Sequence, residues 1–151
     1  MSIEVLDESG VGVDATELSR LSRFVMGRMR VHPMAELCIK LVDEATIAEL
    51  NEQWMEKEGP TDVLAFPMDE LRPGLVNDEP EEGVLGDLVL CPSVAERQAK
   101  DAGHPTKDEL EMLTVHGILH LLGYDHAEPA EHQEMFALQA RLLSEWQETS
   151  A

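Results

Sequence analysis

Between residues 110 and 122 the chain places Leu110, Leu113, Ile118, Leu119, Leu121 and Leu122 on all sides of a helix. A helix that is apolar all round belongs inside a packed domain, so the rest of the chain has to be arranged around this one. Two histidines, His116 and His120, interrupt the apolar surround four residues apart. At 3.6 residues per turn they stack on one face, about one turn apart, within reach of a single ion. Imidazoles in such surroundings need partners.

Gly123 is predicted to end this helix in a left-handed cap and turn the chain back, which brings His126 in as a third ligand. The three are half of the six histidines in the chain. Three imidazoles on a tetrahedral metal leave one position open for water, the arrangement of a catalytic zinc, whereas structural sites close all four, often with cysteine. The two cysteines, Cys38 and Cys91, fall in strand-like segments with no C-x-x-C spacing and read as buried thiols. In the zinc hydrolase signature H-E-x-x-H the glutamate is the general base, and here its place is taken by Gly117. Peptide hydrolysis by that route loses its base. The proton work falls to another group or to a water activated by the ion itself.

The remaining elements follow from periodicity and punctuation. Ile3 to Leu6 suggest an edge strand, followed by a turn at residues 9–12. Asp14 with Glu17 forms a capping box for a helix to about Val31, and residues 36–42 read as a strand. A second helix after Asp43 carries Ile47, Leu50 and Trp54 on its apolar side. Residues 61–67 and 84–90 form a strand pair joined by a mobile acidic loop at about 69–83. Pro92 opens a helix closed by Gly103, Pro105 opens the histidine helix, and a last helix spans about 129–146. Because two strands are joined by a loop and the others by helices, the fold class is α+β. It comprises a small mixed sheet of about four strands packed with about five helices, with the metal site on a central helix and the loop after it. Its 151 residues suit one domain, read as a single metal-dependent hydrolase domain spanning residues 1–151.

Formal net charge is −20, which opposes a nucleic-acid partner. Distribution softens the objection, because Arg20, Arg23, Arg28 and Arg30 share one stretch with no acid between residues 18 and 35. These arginines are either an RNA-binding face or a solvated helix face. No run of eighteen apolar residues occurs and the first residues lack a signal-peptide pattern, so a cytoplasmic location and no membrane partner are expected.

Residues 115–126, Val-His-Gly-Ile-Leu-His-Leu-Leu-Gly-Tyr-Asp-His, resemble the signature of the YbeY family, bacterial endoribonucleases and ribosomal RNA maturation factors. Residues 60–67 and 85–91 resemble two further motifs of that family. The resemblance implies a zinc-binding α+β fold with one Zn2+ per chain held by His116, His120 and His126. It also implies single-strand-directed endoribonuclease activity in 3′-end maturation of small-subunit ribosomal RNA and in ribosome quality control. Its implied partners are ribosomal RNA, a small-subunit ribosomal protein and a GTPase of ribosome assembly. Many members carry an arginine where this chain has Met55, which cannot contact phosphate. Either a nearby arginine substitutes, the cluster from Arg20 to Arg30 being the first place to look, or cleavage is weak. Two chemistries fit: zinc activates a water and polarises a phosphoryl oxygen, or the neighbouring 2′-hydroxyl attacks. Asp125 and Asp87 are candidates for proton transfer or for orienting the site, and equally for turn and backbone roles. Tyr124 packs against the loop or touches substrate. The rival reading is a zinc-containing ribosome-assembly binding factor with little or no nuclease activity of its own.

Overall fold

The computed structural model describes residues 2–69, 71, 83–124 and 128–150. In chain order these form β1 (Ser2–Asp7), α1 (Ala15–Arg28), β2 (Glu36–Leu41), α2 (Glu44–Met55), β3 (Val63–Pro67), β4 (Val84–Leu90), α3 (Pro92–Ala102), α4 (Thr106–Leu121) and α5 (Pro129–Ser150). The sheet order is β1-β2-β4-β3, with β1, β2 and β4 parallel and β3 antiparallel to β4. The architecture is therefore α+β with a mixed four-stranded sheet, as the order of elements predicts.

Side-chain caps set the helix starts. Asp14 accepts a hydrogen bond from the Glu17 amide at 3.1 Å, and Asp43 accepts one from the Thr46 amide at 2.8 Å. Each cap contributes about 1 kcal/mol to its helix. The end of α1 departs from expectation, stopping at Arg28 rather than near Val31. Arg30 turns left-handed at φ 56, its amide donates to the Gly27 carbonyl at 3.1 Å, and the Val31 amide donates to Met26 at 2.9 Å. That is a Schellman closure made without glycine, hence invisible to a reading that looks for one. Trp54 also departs from its expected place on the apolar side of α2, being 61% exposed. Asn51 continues the buried face instead, and its Nδ2 donates to the Gly59 carbonyl at 3.0 Å.

The main core lies on one side of the sheet. Leu37, Ile39 and Leu41 of β2 with Leu88 and Leu90 of β4 meet Leu21 and Val25 of α1, Ile118 and Leu121 of α4, and Met135 and Leu142 of α5. A smaller cluster forms on the other side from Val42, Ile47, Leu64, Val89, Cys91 and Val94. The helix α4 is central, packing against α1, α3, α5, β3 and β4. A register shift between Glu36 and Leu37, opposite Val84 and Gly86, leaves Leu85 as a bulge in β4. Beyond the end of β3 the pairing continues along the start of β4: the Met68 amide donates to the Leu85 carbonyl at 3.2 Å, the Asp69 amide to the Val84 carbonyl at 3.0 Å, and the Val84 amide to Asp69 Oδ2 at 2.8 Å. Most of the acidic loop predicted to be mobile, residues 70 and 72–82, lies outside the described residues. Cys91 is buried and Cys38 half-buried, both as free thiols. Among the described residues no helix is long and apolar enough to cross a membrane.

Candidate active site

The last turns of α4 present His116 and His120, both half-buried. Their Nε2 atoms are 3.1 Å apart, and the rings meet edge to face with centroids 4.7 Å apart. Two nitrogens each about 2.05 Å from one tetrahedral ion stand about 3.3 Å apart, so the pair fits two ligands sharing a zinc. His126 and Asp125, the other members of the predicted motif, lie outside the described residues.

Beside the pair opens a cleft of about 520 Å³ between α4, the C-terminal end of α2 and β3. Strand alternation explains its floor. Ala65 pairs with Leu88 and Val63 with Leu90, so these β3 side chains share the sheet face that α4 covers and line the cleft. Its rim carries Asn51, Met55, Lys57, Thr61 and Asp62. Lys57 is the one lysine or arginine among the described residues of this lining. Asp62 Oδ1 accepts from the Val63 amide at 2.8 Å and is 3.3 Å from Thr61 Oγ1, which fixes its carboxylate at the head of β3. Asp62 and His116 also line a second recess of about 240 Å³, together with Met112, Phe136 and Gln139. There the Nδ1 of His116 lies 2.9 Å from Gln139 Oε1, and the Phe136 ring packs 5.5 Å from the imidazole, centroid to centroid.

Other sequence-predicted residues lie elsewhere. Leu88 points to α4, so Asp87, its strand neighbour, is directed to the opposite sheet face, where it pairs with Cys38 and Phe66. Burial pushes the Cys38 thiol up, and the Asp87 charge adds to the rise. Arg20, Arg23, Arg28 and Arg30 are exposed, and none lines either cavity beside His116. Arg28 is 3.7 Å from Glu145 and lies over the Phe24 ring, while Arg20 is 3.6 Å from Glu17 and lies over Trp146. Those α5 partners are about 15 Å along the helix from Phe136. Tyr124 packs against the main core, and burial raises its pKa. Met55 is at the cleft rim, 37% exposed. Sequence reading missed Lys57, Asp62 and Gln139. Thr61 and Asp62 fall inside a motif already singled out, and Gln139 interrupts the buried stripe of Met135, Leu142 and Trp146.

A histidine pair carried by a buried helix and opening into a cleft on a small mixed sheet suits an α+β hydrolase, and among the described residues no third His, Cys, Asp or Glu joins the pair in a metal-holding group. The chain belongs to the YbeY endoribonuclease family, whose model, Endoribonuclease YbeY, matches residues 7–147. It is 75% identical over 146 residues to the endoribonuclease YbeY of a Nocardioides species, covering 97% of this chain and 98% of that one. To the endoribonuclease YbeY of Acidothermus cellulolyticus it is 61% identical over 150 residues, covering 97% and 92%. The fold matches the solution structure of a Thermotoga maritima protein with a TM-score of 0.61 at 29% identity, over 97% of this chain and 93% of that one.

Proposed function

We propose that this protein is a zinc-dependent, single-strand-directed endoribonuclease acting in 3′-end maturation of small-subunit ribosomal RNA and in ribosome quality control. The observation that carries the reading is the 3.1 Å approach of His116 Nε2 and His120 Nε2 at the wall of an open cleft. His116, His120 and His126 would hold one zinc, which supplies Lewis-acid polarisation of a phosphoryl oxygen and acidifies a nucleophile. The chain's own residues do the rest. Lys57 binds a backbone phosphate at the cleft rim. The apolar strip of Val63, Ala65 and Pro67 offers a surface on which unpaired bases lie, which suits a single strand. Asp62, anchored through Oδ1, accepts the proton of the attacking group. Asp125, next to His126 in sequence, would orient a ligand histidine. Product ends decide the nucleophile, because a 2′,3′-cyclic phosphate requires attack by the 2′-hydroxyl.

Ribosomal RNA as substrate puts the protein's work in the bacterial cytoplasm, with a small-subunit ribosomal protein and an assembly GTPase as its protein partners. The test is cleavage of single-stranded RNA by pure protein with zinc restored, beside a His120→Ala variant. Activity confined to the parent supports the enzyme, whereas equal residual activity points to a contaminating nuclease and sinks the reading. A second reading, an assembly factor that binds RNA and cuts little, is favoured by Met55 at the rim and by the net charge of −20. RNA binding without turnover in the same assay selects it.

A further inference from the structure

We infer that Gln139 is the positioning residue that holds His116 in the Nδ1–H tautomer, so that its Nε2 lone pair faces the ion shared with His120. The inference rests on the metal reading above and adds the group that orients the first ligand.

Gln139 is 6% exposed on the inner side of α5, among Met135, Leu142 and Trp146. Burying an amide in an apolar stripe is costly unless it is hydrogen-bonded, and a leucine would complete the stripe without that cost. The amide has a specific partner: its Oε1 is 2.9 Å from His116 Nδ1. A carbonyl oxygen only accepts, so Nδ1 must carry the proton. The neutral ring then keeps its lone pair at Nε2, the atom 3.1 Å from His120 Nε2. Phe136, packed 5.5 Å from the same ring, restricts its swing. With the amide reversed, its NH2 would donate to Nδ1 and force the proton onto Nε2, aiming an N–H at the ion. Metal-binding histidines are commonly oriented by a carboxylate through the other ring nitrogen. An amide gives the same orientation without adding a negative charge to a chain already at −20.

The experiment compares the full-length protein with Gln139→Met, Gln139→Asn and Gln139→Glu. Zinc affinity is read by chelator competition, and the tautomer of the His116 ring by nitrogen-15 correlation spectra of the metal-free protein. Methionine keeps the packing volume and removes the acceptor, so zinc affinity falls about 10- to 100-fold and the Nδ1–H signature is lost. Glutamate keeps the acceptor and binds zinc at least as tightly as the Met variant's parent. Should the Met variant fail to fold, the Asn variant decides, because its shorter amide falls short of Nδ1 and shows the same losses. Parental zinc affinity in the folded Met or Asn variant overturns the inference, as does a parent whose His116 carries its proton on Nε2. A parent that takes up no zinc overturns the metal reading itself, and the tautomer still decides the role of Gln139.

Discussion

Gly117 on α4 and Leu88 on β4 touch with no room between them: a Cβ on Gly117 would stand 2.7 Å from Leu88 Cδ2 and 3.2 Å from Cδ1. The absence of a glutamate after the first histidine therefore has a steric cause as well as a chemical consequence. This is where the helix sits down on the sheet. One turn on, Gly86 makes the matching approach from β4, since a side chain there would run into the Phe66 carbonyl oxygen and come within 3.0 Å of Leu121 Cδ2. The contact sets the depth at which His116 and His120, on either side of Gly117 in sequence, meet the cleft.

Gly117→Ala is expected to lower stability although alanine favours helix. The helix gains about 1 kcal/mol, while overpacking a filled core costs about 1–3 kcal/mol. In a Leu88→Ala background the clash is gone and the same substitution becomes stabilising. Urea denaturation of the four proteins measures both effects, and one sign in both backgrounds would refute the contact.

Lys57→Ala is expected to weaken single-stranded RNA binding and to reduce the salt slope by about 0.7, the value for one lost phosphate contact on a single strand. Arg28→Ala leaves the slope near the parent's, because Glu145 and the Phe24 ring engage that guanidinium. Titrations at several salt concentrations separate them. A slope that falls with Arg28 and not with Lys57 would move the RNA path from the cleft to α1.

Glu111 on α4 is buried, its side chain 5% exposed, with Lys107 at 3.7 Å. Burial pushes its carboxyl above the ordinary value of 4.5; Lys107 pulls it back, and Asp108 and Glu17 add to the rise. An acid that holds its proton more tightly when folded contributes stability that is full below 4.5 and lost as pH rises through the raised value. Glu111→Gln, neutral throughout, should melt above the parent at pH near 7 and lose that advantage in acid. Melting curves across this range that run parallel would contradict the shift.

Glu56 caps α2 in the left-handed conformation at φ 56, between two residues of the cleft rim. Glu56→Gly relieves a conformation that costs a residue with a side chain about 1 kcal/mol, so the melting temperature rises. RNA binding stays unchanged if the rim keeps its shape, which the same titrations test.

Much of the fold was legible because its signals are local. Asp14 and Asp43 cap where capping residues should, and the i, i+4 spacing of His116 and His120 implies their convergence before any tertiary contact is known. What escaped depends on distant partners. Gln139 finds its role 23 positions from His116. Lys57 and Asp62 line the same cleft as the histidines, which depends on β3 lying beside β4 under α4. The facing of Asp87 follows from alternation after the bulge at Leu85, which no composition rule announces. Asn51, a polar residue, is buried because it found a distant carbonyl to bind, which a hydrophobic pattern does not announce.

The doubled bonding of Asp69 to Val84, backbone to backbone and carboxylate to amide, closes the end of the ladder like a clasp. Val84 both accepts from the Asp69 amide and donates to the Asp69 carboxylate, so neither half of the clasp opens without loosening the other. Asp69→Ala keeps the backbone half and removes the carboxylate half, leaving the first residue of β4 held at that corner by one bond in place of two.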